Sequence, residues 1–159
     1  MRDDVRLIPI GPDERAAVAA LRLADDQADL VASNAESLDE ADHDPAARPR
    51  AVVAGGRIVG FLMYELFDGG RAANIYRFMI DRAAQGRGVG RAALDRLLAE
   101  IAALPGVATI EICYVPQNVG ARRLYAAAGF VEVGVDEDGE IIARRPVDAA
   151  AGTPPGRRP

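Results

Sequence analysis

Ile75-Tyr-Arg-Phe-Met-Ile-Asp-Arg-Ala-Ala-Gln-Gly-Arg-Gly-Val-Gly-Arg91 decides how this chain folds. Ile75–Ile80 is dense in β-branched and aromatic residues and reads as a strand. Glycines then alternate at Gly86, Gly88 and Gly90, and from Ala92 to Leu104 apolar residues recur at helical spacing. A glycine-rich turn feeding a helix leaves several backbone N–H groups unpaired and aimed at one spot, which suits a phosphate. The glycines alone leave three readings open: a tight packing turn, a dinucleotide site, or another phosphate site. The dinucleotide fingerprint wants G-x-G-x-x-G and an acid at the end of the next strand. Here the spacing is G-x-G-x-G, and Glu111 lies near the start of that strand.

Upstream, Val5–Ile10 reads as a strand and Gly11-Pro-Asp-Glu14 opens a helix that Val18, Leu21 and Arg22 continue. Ser37-Leu-Asp-Glu40 matches a capping box and predicts the start of a second helix. Ala51–Ala54, Gly55-Gly56 and Arg57–Tyr64 form a hairpin pattern. Downstream, Thr109–Val115 is a strand, and Asn118 caps a helix over Val119–Ala128 that ends at Gly129. Phe130–Val135 and Glu140–Arg144 make a closing hairpin. The order β-α-α-β-β-β-α-β-α-β-β predicts a mixed α/β domain over residues 1–145, its sheet covered by helices on both faces. Residues 146–159, rich in Ala, Gly, Pro and Arg, read as a disordered tail.

Composition narrows the chemistry. All 19 basic residues are arginine, which removes Schiff-base chemistry and the lysine-dependent P-loop. A net charge of -5 argues against nucleic acid as the main partner, and no apolar run is long enough for a membrane span. The single cysteine, Cys113, and an N-terminus without an apolar leader fit a cytoplasmic protein. One Cys and one His make a zinc site implausible, so no metal is expected.

Gln85-x-x-Gly88-x-Gly90 after a strand is followed downstream by Asn118-x-x-Ala121-x-x-Leu124-Tyr125-x-x-x-Gly129-Phe130. Together these resemble the GNAT superfamily of acyl-coenzyme A-dependent N-acetyltransferases. The resemblance implies a mostly antiparallel sheet of six to seven strands, in which Ile75–Ile80 splays from Thr109–Val115. It implies acetyl-CoA as co-substrate, its pantetheine arm against the backbone of Met79, Ile80 and Asp81. Its pyrophosphate would lie on Gln85, Gly86, Arg87, Gly88, Val89, Gly90 and Arg91. Tyr125 becomes the candidate general acid, since a phenol of pKa about 10 can protonate a departing thiolate. Asn118 caps its helix and reaches the cofactor arm. The base is left among Glu111, Glu65, Asp81 and a water relay, and His43 reads as exposed. The family also implies a homodimer.

From Asp25 to Asp44 there are eight carboxylates and no basic residue, a pattern of either an acidic surface or a pocket for a cationic amine. Gln27-x-x-Leu30-Val31-Ala32-x-Asn34-x-x-Ser37-Leu38-x-x-Ala41, Gly60-Phe61-x-Met63-Tyr64 and Tyr76-Arg77-Phe78-Met79-Ile80-Asp81 look like the bacterial spermine/spermidine acetyltransferase branch. That resemblance points to a polyamine held by Asp26, Asp29, Asn34 and Glu36. A different amine acceptor, or a non-catalytic acyl-CoA-binding module, is the alternative.

Overall fold

The computed structural model describes residues 4–22 and 33–147. Eleven principal elements follow in order: β1 (Arg6–Pro9), α1 (Pro12–Ala19), α2 (Asn34–Asp42), β2 (Arg48–Ala54), β3 (Arg57–Phe67), β4 (Ala72–Ile80), α3 (Val89–Ala102), β5 (Thr109–Tyr114), α4 (Val119–Ala127), β6 (Val131–Val135) and β7 (Ile141–Pro146). The seven strands form one sheet in the order β1-β2-β3-β4-β5-β7-β6. Only the β4–β5 pair is parallel. The expected mixed, mostly antiparallel α/β sheet is what the chain forms.

Helices cover both faces. On one, Val89, Ala93, Leu94, Leu97, Leu98 and Ile101 of α3 pack with Tyr125 of α4 against Leu62, Ile75, Ile110 and Ile112. On the other, Val18 of α1 and Leu38 of α2 pack against Ala51, Phe61, Met63 and Met79. With both faces covered, the middle of β3 from Val59 to Tyr64 is buried without interruption.

Several boundaries differ from the sequence reading. The capping box of α2 is Ser33-Asn-Ala-Glu36, with Ser33 accepting from the Glu36 N–H. Ser37-x-x-Glu40 fits the same pattern, but Ser37 is fully buried as a helical residue, so the helix begins a turn earlier. The first helix stops at Ala19, and Leu21 and Arg22 do not continue it. The Arg22 backbone is captured instead: its N–H donates to Asp81 Oδ1 (2.7 Å) and its C=O accepts from the Arg82 N–H (2.6 Å). The fourth strand starts at Ala72, where the small Ala72 and Ala73 sit between β3 and β5. The last strand continues through Pro146, and the Val147 N–H donates to Ala108 O (2.8 Å). Residues 148–159 lie outside the described residues.

Candidate active site

The site begins with a backbone irregularity. Strands β4 and β5 pair from Ala72/Thr109 to Ile75/Ile112 and no further. At the same point the β3–β4 register slips: Tyr64 faces Ile75 and Met63 faces Arg77, leaving Tyr76 as a bulge residue. A bulge bends its strand and strengthens the local twist. Past Tyr76, β4 keeps β3 as a neighbour but has left β5, which opens the splay expected from the sequence.

Register decides which backbone groups face that gap. The Asp81 N–H donates to Val59 O (2.7 Å), so 81/59 is a hydrogen-bonded pair, and antiparallel alternation makes 79/61 another. Met79 therefore turns both its peptide groups, and Asp81 its N–H, toward β3, while Phe78 and Ile80 turn theirs toward the gap. Of the three residues the sequence reading placed against a pantetheine arm, Ile80 has that orientation, and Phe78 is the residue it passed over. The Ile80 C=O is already taken by Gln85 Nε2 (2.9 Å).

A cleft of about 270 Å³ continues from the gap, lined among others by Phe78, Ile80, Gln85, Gly90, Asn118 and Tyr125. Of the turn from Asp81 to Gly88, Gln85 and Gly86 line the cleft. Gly86 and Gly88 have φ of +79° and +80°, a left-handed backbone that disfavours side chains. The first helical bond of α3 is from the Ala92 N–H to Gly88 O, so the N–H groups of Val89, Gly90 and Arg91 precede it at the positive end of the helix. A Cβ at Gly90 would meet only ordinary contacts, Ile80 Cγ1 at 3.7 Å and Leu124 Cδ2 at 3.9 Å. Arg87 is exposed, and Arg91 is also exposed and bridges Asp95 one turn on (3.1 Å). The backbone of this turn fits a pyrophosphate without any lysine.

Tyr125 closes the far wall. Its ring is packed by Phe78 (6.3 Å), Tyr114 (5.2 Å) and Phe130 (6.0 Å). Burial, with Tyr114 adding to it, pushes its phenol well above the ordinary tyrosine range, so it stays protonated. Asn118 lines the same cleft while its Oδ1 accepts from the Ala121 N–H (3.2 Å), capping α4.

The opposite face of the sheet, under α2, collects carboxylates. Glu65 on β3 stands opposite Asn74 on β4, which stands opposite Glu111 on β5. Burial raises the Glu65 carboxyl first, then the charges of Asp44 and Glu40. The phenol of Tyr76 is pushed up to about 12 by burial and by the same three carboxylates. From the β6–β7 turn, Glu140 is raised by burial and by Asp136 and Asp138. Among the described residues, Asn74 Oδ1 is buried with no hydrogen-bond partner. Glu111 is different, because Arg144 Nε lies 2.7 Å from its Oε2.

Other candidates have structural duties. Asp81 accepts from the backbone of Arg22 and Ala83 (2.7 and 3.1 Å), which engages it as a turn cap. Asn34 is buried and donates to Val18 O (2.9 Å), and Glu36 completes the α2 cap at Ser33. Asp39 and Asp42 pair with Arg15. His43 is exposed, as expected. Asp26 and Asp29 lie outside the described residues. In the sequence Glu40 and Asp44 are only part of the acidic stretch and Tyr76 only part of a motif; their convergence depends on the bulge and on the packing of α2.

Comparison with known proteins settles the kind of molecule this is. The family model described as Acetyltransferase (GNAT) family matches residues 16–130. The chain belongs to the acetyltransferase (GNAT) family. This acetyltransferase is 29% identical over 145 residues to the spermine/spermidine N(1)-acetyltransferase of Bacillus subtilis (strain 168), covering 87% of this chain and 95% of that one. Its fold matches the spermidine N-acetyltransferase from Vibrio cholerae in complex with CoA and spermine. There the TM-score is 0.76 at 19% identity, over 94% of this chain and 99% of the other. An aminoglycoside acetyltransferase in complex with coenzyme A gives a TM-score of 0.79 at 18% identity, over 95% and 99%. Acetyl transfer to an amine is the family chemistry to which the site must be fitted.

Proposed function

We propose that this acetyltransferase transfers the acetyl group of acetyl-CoA to a polyamine, by direct attack with both substrates bound. The observation that carries the acceptor is the row of oxygen acceptors below the splay. Glu65, Asn74 and Glu111 sit on three adjacent strands, with Asp44 and Glu40 close enough to act on Glu65. A glutamate raised by burial and by two acidic neighbours, beside a buried amide oxygen lacking a donor, suits an ammonium bearing several N–H groups. The relatives that act on spermine and spermidine support the same class.

Acetyl-CoA supplies the activated acetyl group; positioning and proton handling fall to the chain. The N–H groups from Gly86 to Arg91 bind the pyrophosphate, the Gln85 N–H being engaged by Arg82 O. The Phe78 and Ile80 N–H groups, facing the gap, hold the pantetheine arm and polarise the thioester carbonyl. Tyr125 keeps its proton and presents it to the departing sulfur. The dry cleft that raises this phenol raises a thiol as well, so acid and leaving group stay matched. Glu65 is the better base of the two glutamates. Its raised carboxyl is nearer in basicity to an amine, whereas Glu111 is held by Arg144.

The test is purified protein with acetyl-CoA and a panel of spermine, spermidine, an aminoglycoside, a peptide N-terminus and a neutral primary amine, following release of free thiol. Highest kcat/KM on spermine or spermidine is expected. Preference for the neutral amine or the peptide would refute the polyamine reading, and CoA binding without turnover on any amine would refute catalysis.

A further inference from the structure

Both neighbours of β4 release it at one residue. Pairing with β5 ends at Ile75, and Tyr76 has no partner in the β3 register. Beyond the bulge β4 is paired on one side only, with β3 from Arg77 to Ile80, so a further brace at the bulge helps fix its direction. Arg77 occupies that place. Its Nη1 donates to Tyr76 O (2.7 Å), its Nε to the fully buried Ser37 hydroxyl (2.9 Å) and its Nη2 to Glu40 Oε1 (3.0 Å). The guanidinium also lies 5.4 Å from the centre of the Tyr76 ring. Three nitrogens of a rigid planar fork thus join the bulge carbonyl to two successive turns of α2.

We propose that Arg77 is a positioning residue for acetyl transfer, setting the direction in which Phe78 and Ile80 present their N–H groups to the gap. The arginine acts through the bulge; its charge faces Glu40 and also acts on Glu140, and its donors are engaged by the fold. A lysine keeps the charge but not the fork, and cannot bond the Tyr76 carbonyl, Ser37 and Glu40 in this planar arrangement. The proposal rests on acetyl transfer in the gap and is independent of which amine is the acceptor.

Arg77→Lys is the deciding variant. Its kcat is expected to fall about 10–100-fold while KM for acetyl-CoA and for the amine each stay within about threefold, because misplacement of the reacting groups costs turnover before binding. Amide hydrogen exchange across residues 76–80 is expected to quicken about tenfold, with α3 unchanged. Ser37→Ala, which removes only the Nε acceptor, is the milder companion, lowering kcat in the same manner. Because both act through one brace, Arg77→Lys with Ser37→Ala should be no worse than Arg77→Lys alone. Full kcat in Arg77→Lys, a rise confined to the amine KM, or additive effects in the double variant would overturn the proposal. If the wild-type protein acetylates none of the amines tried, the polyamine reading fails separately. Exchange at residues 76–80 then decides alone, with unchanged rates in Arg77→Lys counting against the brace.

Discussion

Tyr125 packs among three aromatic rings, and a single substitution separates that role from the chemical one proposed for it. Tyr125→Phe keeps the ring among Phe78, Tyr114 and Phe130 and removes only the hydroxyl. Steady-state kinetics should show kcat reduced about 10²-fold or more, with CoA affinity by calorimetry nearly unchanged. Since its phenol is shifted upward, its ionisation should not limit kcat below about pH 10. Glu65 makes a second residue-scale test. Its folded-state carboxyl is raised, so kcat/KM should climb with pH through a limb above the ordinary carboxylate range, and Glu65→Gln should lose that limb. Stability follows the same shift. Above its folded pKa, Glu65 is ionised in both states and its burial and acidic neighbours cost stability. That cost fades as pH falls through the folded pKa toward the unfolded one. Glu65→Gln should therefore melt slightly higher at neutral pH and like wild type near pH 4 (about the unperturbed glutamate pKa).

At the scale of elements, the strand–turn–helix unit carries the proposed cofactor site, and its glycines differ in what they tolerate. Gly88→Ala places a Cβ on a left-handed residue and should cost about 1–3 kcal/mol in chemical denaturation, with CoA binding weakened as well. Gly90→Ala has room and ordinary backbone, so its melting temperature should not drop. Gly60 on β3 is constrained from another direction, because a Cβ there would lie 2.7 Å from Met79 O and 2.8 Å from Ile80 Cδ1. Gly60→Ala should push β4 at the edge of the gap and destabilise the fold by about 1–3 kcal/mol. The turn was legible in the sequence because glycine spacing and a following amphipathic helix are local signals. The bulge was not, since Tyr76 looks like any strand residue until β3 is laid against it. The α2 cap was ambiguous because Ser33-x-x-Glu36 and Ser37-x-x-Glu40 both satisfy one local rule, and burial of Ser37 chose between them.

At the scale of the whole molecule, a net charge of -5 and a carboxylate row under α2 make a field that attracts cations and opposes the polyanionic cofactor. Raising salt toward about 1 M, where the Debye length shrinks to about 3 Å, should raise KM for a polyamine several-fold without a matching rise for acetyl-CoA. Equal shifts in the two constants would place the acceptor elsewhere.

The sequence by itself determined the element order, the glycine turn and the Asn118 cap, because each depends on residues a few positions apart, while the candidacy of Tyr125 came from the family resemblance. Tertiary structure decided which peptide groups face the gap, through a register that only the β3–β4 pairing sets. It also decided the acceptor side. Of the described part of the acidic stretch, Glu36 is used in a cap, Asp39 and Asp42 on Arg15 and Glu40 on Arg77. Glu40 and Asp44 still act on Glu65 and Tyr76 across space. Charges far apart along the chain become neighbours only when strands pair and a helix packs over them, and no local pattern encodes that distance.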